Sequence, residues 1–239
     1  MKYNFPNIDL ESGFLNALSP AVRNRITAKT TMVDLPSGKP IFLNHGDISY
    51  AYFPLSAVVS IQSETHDGST YEVCEVGREG LVGLAMFMSN MAPPQAAIVC
   101  TKGKALRING EYLLEEFDRG EEFASYLFRY IHVVVNSVSQ SVICGRLHHA
   151  DQRLCRWLLA TLDRIVSNQI FVTHELLANV LGVNREFVTL TLKILSRRGA
   201  IKCSRGLIEV IDREDLLRQS CECYSVNRKE LLRLNNAKH

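Results

Sequence analysis

No stretch of 18 apolar residues occurs in the 239-residue sequence; the densest apolar run, Ile131 to Val135, is five residues long and includes His132. A membrane-spanning helix is therefore not expected. The N-terminus carries Asp9 and Glu11 and lacks a signal-peptide pattern. The seven cysteines are odd in number and mostly scattered, and none precedes Cys74, so they do not form a secreted disulfide scaffold. These absences point to a cytoplasmic protein. Catalytic signatures are missing too: there is no P-loop, HExxH, GxSxG or dinucleotide fingerprint, and GREGLVG at 77–83 is not Gly-x-Gly-x-x-Gly. An enzyme is not expected. Only 14 glycines and 7 prolines, with 46% hydrophobic residues, argue against collagen, low complexity and disorder.

Net charge is small at +2, but it is unevenly distributed. Residues 1–145 hold 11 basic and 15 acidic side chains, whereas 146–239 hold 16 and 10. A basic C-terminal part suits a polyanionic partner. The length accommodates two units, each able to bury a core. Three parts are expected: a β-barrel part with flanking short helices at 1–119, a long helix at 120–145 and a basic C-terminal part at 146–239.

Residues 14–29 suit two short helices, with Pro20 in the first turn of the second. From Thr31 to Ile108, short β-branched and aromatic runs alternate with turn signals, of which Asp67-Gly68 is the strongest hairpin signal. The fold class expected is α+β, with an N-terminal antiparallel β-barrel. The segment 77–95, with three glycines, three methionines and Pro93-Pro94, reads equally as a ligand mouth or as a core-packing loop. Beyond Glu111 the pattern turns helical. Ala124, Leu127, Ile131, Val134 and Val138 alternate at 3,4 spacing, the pattern of a coiled-coil seam, and predict a symmetric dimer. Residues 150–166 form another amphipathic helix with Trp157 in its core stripe. Gly145–Asp151, with His148-His149, is the expected hinge, its histidines solvated.

Residues 173–198 read THELLANVLGVNREFVTLTLKILSRR. Thr173 suits an N-cap, Gly182 a tight turn and Asn184 a second N-cap. Leu176, Leu177, Val180 and Leu181 in the first helix, and Val188, Leu192 and Leu195 in the second, supply core stripes, with Ile194 flanking. This is a helix-turn-helix pattern with a recognition helix over Asn184–Ser196. Arg185, Glu186 and Thr189 sit where base edges are read: an Arg fork for guanine, a carboxylate for a cytosine amino group, and a hydroxyl for either role. Ala200 to Ile211 then reads as a basic-tipped hairpin, a wing. Thr173, Lys193, Arg197, Lys202 and Arg205 are the expected phosphate contacts, with Arg198 a further candidate.

These segments carry a resemblance. VTHELLANVLGVNREFVTLTLKIL followed by GAIKCSRGLIEVIDREDL, the GREGLVG segment and RLCRWLL resemble the Crp/Fnr family of transcription regulators. The resemblance covers nearly the whole chain. It implies a cyclic-nucleotide-binding-like jelly roll, a long dimerisation helix with its seam at Leu127, Ile131, Val134 and Val138, and a C-terminal winged helix-turn-helix. It also implies a homodimer that regulates transcription on a roughly palindromic double-stranded operator, with RNA polymerase as a further candidate partner. The family's recognition-helix Arg and Glu fall on Arg185 and Glu186, and a third reading position on Thr189. Leu190 stands where the cyclic-AMP-responsive member has a base-reading Arg, so operator preference should differ. The CECY at 221–224 resembles a variant group of the family.

The sensor departs from the pattern. A candidate effector pocket falls on Glu79, Gly80, Gln95 and Ala96, but Gln95-Ala96 replaces the family's phosphate-binding Arg-Ser. Cyclic AMP is therefore not expected, because a buried phosphate would lack its neutralising charge. The family's iron–sulfur mode needs an N-terminal cysteine cluster, which is missing. Cys74, Cys100, Cys144 and Cys155 read as small hydrophobes, and the single-residue spacing of Cys221 and Cys223 is poor for zinc. No cofactor and no metal site are identified. One alternative is a β-barrel small-molecule receptor or scaffold whose winged part binds protein. Another is an enzyme using His45, Asp47, His66 and Asp67, which sit in turn-like segments.

Overall fold

A computed structural model describes residues 12–89 and 92–236. Asp9 and Glu11, and Asn90-Met91 of the methionine-rich segment, lie outside them.

Two short helices open the described chain, α1 (Gly13–Asn16) and α2 (Pro20–Thr27), with Pro20 at the first helical position, where its missing N–H costs nothing. Seven strands follow: β1 (Thr30–Leu35), β2 (Pro40–Phe42), β3 (Tyr50–Pro54), β4 (Val58–Glu64), β5 (Thr70–Val76), β6 (Ala96–Thr101) and β7 (Gly103–Asn109). The β4–β5 hairpin turns through Asp67-Gly68, with Gly68 at φ +81° and Asp67 Oδ1 accepting from Ser69 N at 3.1 Å.

The expected jelly-roll barrel does not form. The strands divide into two open antiparallel sheets, β1-β7-β3 and β2-β6-β4-β5, and neither closes. The edges explain this. β2 is three residues long, starts at Pro40, which has no N–H to donate, and shifts register before Phe42. The free edge of β3 makes a single bridge, Tyr52 to Val82, in place of a ladder. The two sheets instead pack through side chains: Leu35, Val33 and Ala105 of the first meet Val99 and Ile41 of the second.

Helix α3 (Gly110–Asp118) leads into the 26-residue α4 (Glu122–Leu147). Phe123, Tyr126, Leu127, Tyr130 and Val133 of α4 pack with Phe14, Phe53 and Ile108 into the core of the β region. Phe14 is ringed by Phe53, Phe123, Tyr126 and Tyr130 at centroid distances of 4.8 to 6.2 Å. α4 is thus bound to its own protomer along one face.

Beyond it come α5 (Ala150–Arg164), β8 (Gln169–Ile170), α6 (His174–Leu181), α7 (Arg185–Arg197), β9 (Ile201–Ser204), β10 (Leu207–Val210), α8 (Arg213–Gln219) and α9 (Cys223–Asn236). β8 adds to the β9–β10 hairpin, giving a small sheet in the order β8-β10-β9. The second core gathers around Trp157, which is wholly buried with Leu154, Leu158, Leu177, Val188, Leu192 and Ile208. Val58 and Cys100 of the four-stranded sheet belong to this same cluster, so the β region and the C-terminal part share apolar packing. No helix among the described residues is long and apolar enough to cross a membrane.

Candidate functional site

The helix-turn-helix is built by local chemistry. Thr173 Oγ1 accepts from Leu176 N at 3.1 Å and caps α6, and Asn184 Oδ1 accepts from Phe187 N at 2.7 Å and caps α7. Between them Gly182 adopts φ +63°. A side chain there would also meet a neighbour: an added Cβ would fall 2.6 Å from the ring of Tyr71 in β5. The turn therefore needs glycine for its conformation and for the close approach of the β4–β5 hairpin.

Arg185 and Glu186 stand exposed at the start of α7. Thr189 is half-buried and already engaged. Its Oγ1 donates to Arg185 O at 3.0 Å and lies 2.9 Å from His174 Nδ1. With its one proton given to the carbonyl, the hydroxyl accepts from Nδ1–H and has only acceptor capacity left for a base. Burial, then the Arg185 charge, lowers the His174 pKa and favours the neutral ring. Lys193, Arg197, Lys202, Arg205 and Thr173 are all exposed, and Arg205-Gly206 forms the two-residue turn of the wing, with Ser204 paired to Leu207. Arg198 is instead drawn to Asp215 at 3.5 Å. Two apolar side chains complete the outer surface of α7: Leu190 and Ile194 are more than half exposed. Ile194 thus faces outward instead of flanking the core.

On α4 the residues expected to form the seam also pack in the chain's own core. Leu127 is wholly buried in its own protomer, and Ile131 and Val134 pack against the same core. A second 3,4 series, one residue on, faces outward: Phe128 (60% exposed), His132, Val135 (54%), Ser139 and Val142 (67%). Val138 is partly exposed at its margin.

The residues read as an effector pocket fall on a turn and at the start of a strand. Glu79 Oε1 accepts from Arg164 Nε at 2.6 Å, and Glu75 Oε2 from Arg164 Nη1 at 2.8 Å, with all three side chains largely buried. A Cβ on Gly80 would strike the Tyr130 hydroxyl at 2.2 Å. Glu79 lines a small cleft with Cys74, Tyr130, Ser137 and Arg164, whereas Ala96 pairs with Gln62 in the β4–β6 ladder. The Glu79-Gly80 turn therefore serves as a seat for α4 and α5. Burial, then the nearby Glu75 carboxylate, pushes the Glu72 pKa up to about 8. His45, Asp47, His66 and Asp67 are exposed turn residues.

The absence of any identified metal or cofactor site is overturned by a cluster at the end of α4. The ligand atoms of Cys144, His148, Cys221 and Cys223 all lie within 4.8 Å of one another, a group able to hold a metal ion. Cys144 Sγ and Cys221 Sγ are 3.6 Å apart, and Cys223 Sγ is 3.5 Å from His148 Nδ1. His148 is accordingly not a solvated hinge residue, and Cys144 does not sit in purely apolar surroundings. His149 instead caps α5 through a capping box with Gln152. The hydrogen bond with Cys221 is the main cause that draws the Cys144 thiol pKa down, with the Arg156 charge assisting. Judging Cys221-x-Cys223 in isolation concealed the site. The signal that could have found it is the second pair, Cys144 and His148, four residues apart at a helix end.

Comparison with known proteins agrees with this geometry. Residues 152–219 match the Crp-like helix-turn-helix domain family. Among solved structures, FixK2 from Bradyrhizobium japonicum superposes with a TM-score of 0.67 at 16% identity, covering 80% of this chain and 98% of that one. TTHB099, a CRP-family transcriptional regulator from Thermus thermophilus, gives 0.64 at 18% identity over 79% and 96%. The c-di-GMP-responsive global regulator CLP of Xanthomonas campestris gives 0.56 at 18% identity over 80% and 99%. No curated protein sequence matches the chain. The chain thus carries a Crp-like helix-turn-helix domain at 152–219, within a fold that it shares with these solved structures over about four-fifths of its length.

Proposed function

We propose that the homodimer sets one α7 from each protomer into successive major grooves about 34–36 Å apart, so that its operator is roughly palindromic. Arg185 and Glu186 read base edges; Thr189, its proton already committed, accepts from an adenine or cytosine amino group. Lys193, Arg197, Lys202, Arg205 and Thr173 set the helix on the backbone by meeting phosphates. Division of labour follows the chain: a sensor up to residue 119, the long helix at 120–145 and the reader from 146. The partner-facing seam is the outward series Phe128, Val135 and Val142, with Ile131 and Val138 at its edge.

The observation that carries this reading is the pairing of exposed Arg185 and Glu186 on a doubly capped helix with a basic-tipped wing. Gel-shift titrations of Arg185→Ala on a selected operator and on unrelated duplex test it. Loss of a bidentate Arg–guanine contact should cost about 1–3 kcal/mol of discrimination. An unchanged margin between the two duplexes would refute the recognition assignment. Weak dependence of random-duplex binding on salt would likewise argue against the phosphate contacts.

A further inference from the structure

We propose that Cys144, His148, Cys221 and Cys223 form a closed tetrahedral site, three sulfurs and one nitrogen, for a zinc-class divalent ion that pins the start of α9 to the end of α4. The proposal goes beyond DNA recognition and does not depend on it.

Bond lengths of about 2.3 Å to sulfur and 2.0–2.1 Å to nitrogen set the edges of such a tetrahedron at about 3.8 Å between sulfurs and 3.6 Å from sulfur to nitrogen. The observed edges of 3.6 Å and 3.5 Å lie close to these values. The widest separation, 4.8 Å, needs to contract by only about 1 Å to reach that edge. A sulfur separation of 3.6 Å is far too long for a disulfide, and the three cysteines are all free thiols. Three soft thiolates and one imidazole suit zinc, and four protein ligands leave no open position, which marks a structural site.

The surroundings fit the same role. His148 Nε2 lies 3.1 Å from the Glu222 carboxylate, which holds the ring with Nδ1 towards the sulfurs, the carboxylate–histidine arrangement that supports metal ligands. The Gln140 amide donates to Cys223 Sγ at 3.0 Å. Arg156 brings a positive charge that acts on Cys144 and Cys221, and its Nε is buried with no hydrogen-bond partner. That charge would offset the net negative charge of three thiolates on a divalent ion. The single-residue Cys221–Cys223 spacing works because Cys221 lies in the turn before α9 and Cys223 is its first helical residue.

The ligands join the end of α4 to the start of α9, which the Gln140–Cys223 and Asn227–Ser137 contacts also tie. Cys144 is in the last turn of α4, His148 is its C-cap, and Cys221 and Cys223 begin the segment beyond the matched domain. Helix α9 then runs back along α4, where Leu231 and Leu234 join the core of the β region. A bound ion would fix the hinge after α4 and hold α9 in place.

The full chain, purified under reducing conditions, should carry one zinc ion per chain by elemental analysis. Its metal-free form, titrated with cobalt(II), should develop the visible bands of a tetrahedral thiolate complex. Cys144→Ser and Cys223→Ser should lose both signals, and Cys203→Ser on the distant wing should keep them. Glu222→Gln should retain the spectrum but bind about 10–100-fold more weakly. Zinc should also slow proteolysis within 220–236. Absence of a tetrahedral cobalt spectrum in the unaltered chain, or its persistence in Cys223→Ser, would overturn the site. Unchanged proteolysis on metal removal would overturn the clamp.

Discussion

The Arg164 guanidinium on α5 reaches across to the β region and lies 2.6 Å from Glu79 Oε1 while also meeting Glu75. Two acidic side chains from the β region thus take one end of a helix that belongs to the C-terminal part. Such a pair is costly to break from one side, because the remaining charge stays buried.

Replacing Arg164 with Met should therefore destabilise the chain by about 3–5 kcal/mol. Adding Glu79→Gln and Glu75→Gln to it should recover much of the loss, since no carboxylate is then left unpaired. Denaturant titration of the single and triple variants measures both steps. A loss below about 1 kcal/mol for Arg164→Met, the range of an exposed pair, would contradict the burial of this network.

Gly182 carries two separable demands. Gly182→Ala should cost about 1–3 kcal/mol for placing a side chain at positive φ, with a further loss from the Tyr71 ring. In the background of Tyr71→Ala the second part should vanish and the first remain. Thermal melts of the parent, the two single variants and the double variant distinguish them, and full additivity would show that the ring is not in contact.

Glu72 predicts the direction of a pH dependence. Its folded pKa of about 8 lies above the unfolded value of about 4.3. Between these values the folded chain holds a proton that the unfolded chain has released, so stability should fall as pH rises from about 4.3 towards 8. Glu75 shifts in the same direction, first through burial, with Arg164 opposing. Glu72→Gln should flatten the slope and leave the variant more stable than the parent at the alkaline end. A parent stability that rises across this window would contradict the assignment.

The outward seam of α4 predicts where dimerisation is vulnerable. Val135→Asp should weaken the dimer by roughly 30-fold, the equivalent of losing about 2 kcal/mol at an interface hot spot. Sedimentation over a concentration series measures it. Val134, packed on its own protomer, should when changed to Ala affect stability more than association. The reverse ranking would restore the face first read from the sequence.

Several features depend only on neighbours along the chain and were legible for that reason. The Thr173 and Asn184 caps, the Gly182 turn, the Asp67-Gly68 hairpin and the Arg205-Gly206 wing tip are each set by residues within a few positions. Trp157 followed from helical periodicity. On α4 two 3,4 series lie side by side, and packing against Phe14 and its neighbours decides which is covered within the chain. Barrel closure failed, because strand count says nothing about whether the edge strands meet.

The sequence by itself determined the helix-turn-helix half, since caps, turns and helical stripes are short-range and repeat the same local chemistry wherever they occur. Tertiary structure alone decided the rest: the two open sheets, the Arg164 bridge and the cysteine–histidine cluster. Cys144 and Cys221 are 77 positions apart. They meet because α9 returns along α4, a path set by apolar burial over the whole protomer and written in no local motif.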